Sequence, residues 1–202
     1  MHWLFALLGG YAVGSVPFGL LLAMAAGKGD IRQIGSGNIG ATNVLRSGSR
    51  VAALATLIGD AAKGWVAVLV ARYLQLPHEM VALVGFAAFL GHLFPIWLKF
   101  KGGKGVATAG AVLIAFDWRL GLAVIVTWLV VAGVSRYSSL ASLAAALVGP
   151  AAAWFLLGSG PYFYAAIAMS TLVIARHHGN IRKLVSGQES RIGDKKKDAQ
   201  PR

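Results

Sequence analysis

Long uncharged apolar stretches alternate with short polar segments along almost the whole chain. A membrane-spanning helix needs about 20 predominantly apolar residues, with a range of about 17–25. Four stretches reach that length, and one of them is interrupted only by Asp60 and Lys63. The other three stretches are shorter. Each of them can extend by one helical turn into its flanking residues; alternatively, residues 105–135 form a re-entrant pair. The pattern predicts an all-α polytopic transmembrane helical bundle with seven or five crossings, formed by 3–26, 51–74, 80–98, 105–116, 120–135, 138–157 and 161–175.

The distribution of Lys and Arg predicts how this bundle is oriented. Sixteen of the nineteen Lys and Arg residues lie in 27–50, 99–104, 136 and 176–202. If the chain crosses the membrane an odd number of times, these four segments lie on the same side. Short loops on the cytoplasmic side of membrane proteins carry an excess of Lys and Arg. We therefore expect the N-terminus outside, the C-terminus in the cytoplasm and these polar segments together at the cytoplasmic face.

Composition supports an integral membrane protein and excludes several other classes. The chain is 57% hydrophobic and only 13% charged, whereas soluble domains have about 25% charged residues. It has no cysteine, and its five histidines form no cluster with carboxylates, so we expect neither a metal nor another cofactor. The net charge of +12 suits anionic lipids or an anionic substrate, and no nucleic-acid-binding pattern accompanies it.

The chain is predicted to form one membrane domain followed by a short tail. The first apolar stretch lacks a basic n-region and a small-residue cleavage site, so we interpret it as a retained helix. Residues 1–191 form the single domain, whereas the polar and basic segment 192–202 is expected to be disordered. Gly10 and Gly14 form a GxxxG match, which is typical of close helix packing.

The first polar block comprises residues 35–46, Gly35-Ser-Gly-Asn-Ile-Gly-Ala-Thr-Asn43 followed by Val-Leu-Arg46. It also fits the dinucleotide pattern G-x-G-x-x-G, but that pattern needs a preceding strand and we reject it. Glycine lets backbone N–H groups approach an anion closely. Together with hydroxyl, amide and guanidinium side chains, these N–H groups can form a binding nest for an oxyanion. The alternative is a flexible interfacial loop. The candidate residues are Ser36, Gly37, Asn38, Gly40, Thr42, Asn43 and Arg46.

The second polar block comprises His92 and the segment Lys101-Gly-Gly-Lys-Gly105. Pro95 is expected to kink or end the helix that carries His92. An ionisable residue in a membrane segment suggests function, although a lone histidine is more often a packing residue. Lys104 and the adjacent Gly103 stand at a predicted helix start, where N–H groups and the helix dipole attract anions.

The third polar block, residues 176–182, contains His177, Asn180 and Arg182. Its alternative interpretation is an ordinary positive-inside anchor. Ser139 and Ser142 are candidates for the same pocket because they share one helix face near Arg136, although such serines usually bond helix to helix. Asp60 and Lys63, three residues apart, are expected to brace the site as a buried pair.

At these residues the chain resembles the bacterial acyl-phosphate:glycerol-3-phosphate acyltransferase family over nearly its whole length. The shared segments are Gly14-Ser-Val-Pro-Phe-Gly19, the first polar block, Asp60-Ala-Ala-Lys-Gly64, Gly91-His-Leu-Phe-Pro95, Phe100-Lys-Gly-Gly-Lys-Gly-Val-Ala-Thr108, Ser138-Ser-Leu-Ala-Ser142, His177-His-Gly-Asn-Ile-Arg182 and Gly187-Gln-Glu189. The resemblance implies seven spans in a bacterial inner membrane and an active site at the cytoplasmic face. It also implies acyl transfer from acyl phosphate to the 1-hydroxyl of glycerol 3-phosphate, giving lysophosphatidic acid and phosphate in the first step of phospholipid synthesis.

The resemblance also leads us to expect particular roles for the candidate residues. The donor phosphate would be held by the first polar block and the Gly103–Lys104 backbone, with Arg46 and Lys104 neutralising charge. Glycerol 3-phosphate would be seated by His177, Asn180 and Ser142, with Ser139 and Arg182 as further binding residues, and His92 would orient the pocket. The general base is left open between His92, His177 and the departing phosphate. Ser36, Arg46, His92, Lys104 and His177 are the catalytic candidates.

The residues alone leave other functions open. A transporter or flippase for a phosphorylated metabolite or lipid would also use basic pockets, but it would place its site near the midplane. A scaffold would leave three phosphate-type blocks without purpose. An acyltransferase that uses acyl-CoA or an acyl carrier often has His-x₄-Asp, which is absent here. Membrane lipids are expected partners, and no obligatory protein partner is predicted.

Overall fold

The computed structural model describes residues 2–194, without the side chain of His2. These residues form ten α-helices and no strand, which confirms the predicted all-helical class. Five helical segments are long and apolar enough to cross a membrane: Trp3–Ala25, Arg50–Tyr73, His78–Leu98, Trp118–Ser135 and Ser138–Leu157. The helices are α1 His2–Gly14, α2 Phe18–Ala25, α3 Ala41–Arg46, α4 Arg50–Tyr73, α5 His78–Leu93, α6 Val106–Phe116, α7 Trp118–Ser135, α8 Ser138–Leu157, α9 Pro161–Arg176 and α10 His178–Val185.

The shorter predicted stretches have different outcomes. The stretch 120–135 extends by two residues at its start, giving the 18-residue helix α7. Helix α6 has only 11 residues, so it is about 16 Å long, roughly half the thickness of a bilayer core. Helix α9 has 16 residues. Asp117 alone separates α6 from α7, and its side chain accepts the N–H of Arg119.

The core lies between α4, α5, α6, α8 and α9, where Val68, Phe89, Val112 and Met169 are buried. Large apolar side chains also cover the outer surface, as expected where lipid is the solvent. Helices α1 and α5 approach most closely at the predicted GxxxG pair. A Cβ on Gly14 would lie 1.9 Å from the carbonyl oxygen of Ala88, so only glycine permits this packing.

Pro17 and Pro95 each lie at the end of a helix, and only the break at Pro95 was predicted from the sequence. Pro17 separates α1 from α2, and the carbonyl of Val16, which accepts the N–H of Phe18, also accepts a hydrogen bond from Lys63 at 3.0 Å. Helix α5 ends at Leu93, two residues before Pro95, as expected from the restriction that proline places on its neighbours.

The polar segment between α2 and α4 is packed onto the bundle. Ile31, Ile39 and Val44 are buried against Leu20 and the start of α4. These contacts favour a packed loop over the alternative of a flexible interfacial loop. Of the predicted tail, residues 192–194 lie against Arg136, whose carbonyl accepts the N–H of Ile192 at 2.7 Å. The remainder of that tail, 195–202, lies outside the described residues.

Helix α8 contains Pro150, which cannot donate to the carbonyl of Ala146 four residues earlier. The hydroxyl of Ser170 on α9 donates to that carbonyl at 2.5 Å. An unpaired carbonyl in an apolar environment is costly. A serine on the neighbouring helix thus replaces the bond that proline removes.

We expect Ser170→Ala to lower the free energy of unfolding by about 1 kcal/mol, because the carbonyl of Ala146 loses its partner. In a Pro150→Ala background the cost should be smaller, because residue 150 then supplies an N–H to that carbonyl. Reversible unfolding in detergent micelles would measure this double-mutant cycle. The matched control is Thr171→Ala, which removes an exposed hydroxyl bonded within its own helix. Equal costs of Ser170→Ala in both backgrounds would contradict the assignment.

Candidate active site

The three polar blocks meet in one cavity of about 470 Å³. Helices α3, α4, α6, α7 and α8, the two polar loops and the segment after α9 all contribute to its wall. The cavity has a polar end and an apolar arm. The polar end is lined by Ser36, Asn38, Gly40, Thr42, Asn43, Arg46, Asp60, His92, Lys104, Ser138, Ser139, Ser142, His177, Asn180 and Glu189.

The first polar block is organised around Asn43. The side-chain oxygen of Asn43 accepts the N–H of Ser36 at 3.0 Å, and its amide nitrogen donates to the carbonyls of Ile31 and Ile34. All polar groups of this 2% exposed side chain are thus occupied within the loop. Asn43 therefore shapes the loop, which differs from the direct substrate contact that we expected.

The other polar side chains of this block line the cavity and make fewer hydrogen bonds within the loop than Asn43 does. Asn38 accepts the N–H of Gly40 through its Oδ1 at 2.9 Å. The hydroxyl of Thr42 lies 3.4 Å from that of Ser138 on α8. The guanidinium of Arg46 donates to the hydroxyl of Ser190. Residues more than 90 positions apart thus form one rim of the cavity.

The second polar block forms a tight turn beneath the cavity. The N–H groups of Gly102 and Gly103 donate to the carbonyls of Leu93 and His92, each at 3.1 Å. A Cβ on Gly103 would lie 2.0 Å from Nε2 of His92, so this glycine lies directly on the imidazole. The expectation that the Gly103 N–H holds a phosphate is corrected, because the carbonyl of His92 already accepts it.

Lys104 follows this turn and extends into the cavity. Its ammonium donates to Oδ1 of Asn180. The pKa of Lys104 is lowered to about 8, chiefly by burial; nearby Glu189 raises it, and the cations Arg46, Lys183 and Arg176 contribute to lowering it. The Lys104 ammonium is therefore a fixed charge that deprotonates only slightly above neutral pH.

The third polar block supplies a neutral imidazole and an amide. Nδ1 of His177 lies 2.7 Å from the carbonyl of Val173, so it carries the proton and leaves Nε2 as an acceptor. Burial lowers the pKa of His177 to about 4, against the raising effect of that backbone bond. His177 is thus uncharged at pH 7 and a weak base.

Glu189 is the main residue of the polar end that the sequence motifs did not indicate as a site residue. Its Oε1 accepts from Ser139 and from Asn180, both at 2.7 Å. This fixes the amide of Asn180 so that its oxygen faces Lys104. Its place in the shared Gly187-Gln-Glu189 segment was the available signal. The cavity is also lined by Asp60, Ser138 and Trp128, which were not among the predicted site residues.

A buried ionic group supports the polar end from within the bundle. Asp60 and Lys63 form an ion pair at 2.9 Å, and each residue is only 3% exposed. Nδ1 of His92 lies 3.4 Å from Oδ1 of Asp60. The hydroxyl of Thr108 on α6 donates to the Asp60 carbonyl at 2.8 Å. The predicted bracing pair therefore links α4 to α5 and α6 beneath the site.

The remaining candidates are placed less directly. Ser142 lines the cavity, but its hydroxyl donates to the carbonyl of Ser138 and accepts from Trp128. Gly37 and Arg182 are exposed and lie outside the cavity lining, so the structure does not bring them together with the other candidates. Within the described residues no group of three His, Cys, Asp or Glu side chains could hold a metal ion.

The apolar arm runs from Lys104 along helix α6 between α4, α7 and α8. It is lined on α6 by Val106, Ala107, Gly110, Ala111 and Ile114, and from the other helices by Leu57, Ala61, Val124, Ile125, Trp128, Leu129 and Ala145. Leu57, Ile125 and Leu129 are at least 41% exposed. The arm therefore reaches the outer apolar surface between α4 and α7.

Proteins of known activity are similar to this chain over nearly its whole length. The family model described as "Glycerol-3-phosphate acyltransferase" matches residues 4–187. A glycerol-3-phosphate acyltransferase of Burkholderia lata is 56% identical over 201 residues, which cover 98% of this chain and 95% of the relative. The corresponding protein of Burkholderia vietnamiensis is 54% identical over 201 residues, with the same coverage.

Two crystal structures of PlsY (YgiH), an integral membrane glycerol 3-phosphate acyltransferase, have the same fold. Its glycerol 3-phosphate form superposes with a TM-score of 0.91 and its lysophosphatidic acid form with 0.88. Each is 34% identical to this chain, and each match covers 96% of both chains.

We expect the affinity of the cavity for a tetrahedral dianion to fall as the pH rises through about 8, because Lys104 then loses its charge. Calorimetric titration with sulfate, which stays a dianion from about pH 6.5 to about pH 9.5, would measure this. Lys104→Arg keeps its charge and should remove the decline, whereas Lys104→Ala should bind weakly throughout. A wild-type affinity that is constant across this range would contradict the prediction.

Proposed function

The chain belongs to the glycerol-3-phosphate acyltransferase family, and on that premise we propose that it transfers a fatty acyl group from acyl phosphate to the 1-hydroxyl of glycerol 3-phosphate. One observation supports an anionic acyl donor. A single cavity joins a cationic polar end, with Arg46 and Lys104, to an apolar arm that reaches the lipid-facing surface. An acyl phosphate has these two parts, one anionic and the other a hydrocarbon chain.

We assign the polar end to two phosphate groups. Ser36, Asn38, Gly40 and Thr42 offer hydroxyl, amide and backbone groups on one side, and Arg46 supplies the charge for the donor phosphate. Asn180, His177 and the serines of α8 stand on the other side, where glycerol 3-phosphate would bind. Lys104 lies between them and neutralises both. Gly103, Asn43 and Ser142 act indirectly, because their polar groups are engaged within the protein.

The reaction needs no covalent acyl-enzyme, because an acyl phosphate is already an activated mixed anhydride. The 1-hydroxyl oxygen bonds to the acyl carbonyl carbon and forms a tetrahedral oxyanion. The bond between that carbon and the phosphate oxygen then breaks, and inorganic phosphate leaves with the electron pair. Positioning and charge stabilisation by Arg46 and Lys104 would provide most of the acceleration.

We propose that the hydroxyl proton is finally taken by the departing phosphate. His177 has a pKa of about 4, whereas a phosphate monoester titrates at about 6. The phosphate is therefore the stronger base. The free Nε2 of His177 would accept a hydrogen bond from the attacking hydroxyl and orient it. His92 supports the turn that carries Lys104.

We infer seven crossings, a cytoplasmic site and a bacterial inner membrane as the setting of this reaction. Joining α1 with α2 and counting α4 to α9 gives seven apolar passages, of which α6 is short. An odd number brings 27–50, 99–104 and 176–194 to one face. That face then holds most of the basic residues, as is usual for cytoplasmic loops. Residues 1–191 would act as one domain.

Purified protein given palmitoyl phosphate and glycerol 3-phosphate should release inorganic phosphate only when both are present. We expect Lys104→Ala to lower kcat/KM by at least about 100-fold, as for the loss of a charge-stabilising donor. Lys101→Ala, an exposed change on the same loop, is the control and should stay near wild type. Formation of lysophosphatidic acid would be followed in parallel by mass spectrometry.

Other results of the same assay would exclude parts of the proposal. Turnover with palmitoyl-CoA and none with palmitoyl phosphate would overturn the donor. The absence of turnover with both donors from folded protein would overturn the proposed reaction. Uptake of glycerol 3-phosphate into vesicles under those conditions would then favour the transporter alternative.

We expect Gly110→Leu to shorten the acyl chains that the enzyme accepts. Gly110 faces the arm, and an added Cβ would meet no atom within 4 Å. It stands about 6 Å along α6 from Val106, the first residue of that helix, so a leucine there would obstruct long chains. Palmitoyl phosphate should lose at least about tenfold in kcat/KM relative to octanoyl phosphate.

The matched control is Gly133→Leu. Gly133 is exposed on α7, and its Cβ would also meet nothing within 4 Å, but it does not line the cavity. Its chain-length preference should equal that of wild type. An unchanged preference in Gly110→Leu would place the acyl chain elsewhere.

A further inference from the structure

Arg176, the last residue of α9, binds the turn beneath the cavity through two backbone carbonyls. Its Nη2 donates to the carbonyl of Gly102 at 2.8 Å, and its Nε donates to the carbonyl of Gly103 at 3.2 Å. The N–H groups of the same glycines are held by the carbonyls of Leu93 and His92. Every backbone polar group of these two glycines is therefore engaged.

The guanidinium of Arg176 is itself held in place. It lies over the ring of Phe94, with 5.8 Å between Cζ and the ring centroid. The carbonyl of Phe94 accepts the hydroxyl of Tyr11 at 2.7 Å, which joins this region to α1. A planar guanidinium can donate to two carbonyls at once from a fixed plane, whereas a lysine ammonium is a point charge on a flexible stem.

We propose that Arg176 is a positioning residue that fixes the Gly102–Gly103 turn so that Lys104 extends into the cavity. Arg176 does not line the cavity, so it acts through the turn and not on substrate. Two successive glycines have the largest conformational freedom of any residue pair. Without the guanidinium their carbonyls would lose their partners, and the turn would relax. The importance of this geometry for catalysis rests on the proposed function.

The charge of Arg176 must be separated from its geometry, because it is one of several charged groups around Lys104. These groups are Glu189 after α10, Arg46 on α3, Lys183 on α10 and Arg176 itself, with neutral His177 and Asn180 beside them. Arg176→Lys keeps the charge and removes the two-carbonyl contact. Lys183→Gln removes a nearby charge and leaves that contact intact.

We expect Arg176→Lys to lower kcat/KM by at least about tenfold, as small misplacements of reacting groups do. The released turn should also expose the Lys104 ammonium to water. The alkaline limb of the pH profile should therefore move from about 8 towards the value of about 10.4 for a solvated lysine. Phe94→Leu, which keeps Arg176 but removes its aromatic contact, should shift the limb in the same direction by less. Lys183→Gln should keep activity within about twofold, with its limb near that of wild type.

Sulfate binding as a function of pH would repeat the measurement without any reaction. If acyl phosphate is not the donor, the wild-type protein will not turn over palmitoyl phosphate, but Arg176→Lys will still shift the pH dependence of sulfate binding. The two measurements therefore separate the proposed reaction from the positioning role of Arg176. An Arg176→Lys limb at the wild-type position overturns the positioning role, whether activity is kept or lost. A limb that moves as far in Lys183→Gln would show that charge alone is responsible, which also overturns it.

Discussion

Backbone carbonyls that lose their helical partner inside an apolar layer must be satisfied by the protein itself, and this constraint determines how the bundle is joined. At several interruptions of the helices a side chain from another element supplies the partner. Lys63 reaches the carbonyl of Val16, and Ser170 reaches that of Ala146. Four further bonds from side chains to backbone carbonyls join Tyr11 to Phe94, Arg72 to Phe116 and, through two bonds, Arg176 to the Gly102–Gly103 turn.

The active site uses the same donors that hold the helices together. Lys63 both satisfies a carbonyl and neutralises Asp60, which faces the cavity. Removing one partner of such a pair leaves a buried charge, which is far more costly than the pair itself. The polar end is therefore continuous with the packing of the bundle. Its side chains can be fixed without a large soluble domain around them.

The sequence predicted the helical class, the break before Pro95 and the meeting of three polar blocks, because these follow from apolar pattern, proline geometry and charge distribution. It did not predict the roles of Asn43 and Gly103. Both residues have groups suited to phosphate, but contacts within their own loops use those groups first. Arg176 was missed as a site component, and so was the contact of Glu189 with Ser139, because these partners lie 74 and 50 positions away. Such pairings have no periodic signature in a single sequence.

The closure of the cavity by residues far apart along the chain has a consequence for biosynthesis. Arg46 follows the first apolar passage, yet its partner Ser190 lies 144 positions later, beyond α9 and α10. A nascent chain emerging from the ribosome therefore inserts α4 to α9 before the rim of the cavity can form. This contact, which joins α3 to the segment after α10, therefore forms only once synthesis has passed Ser190.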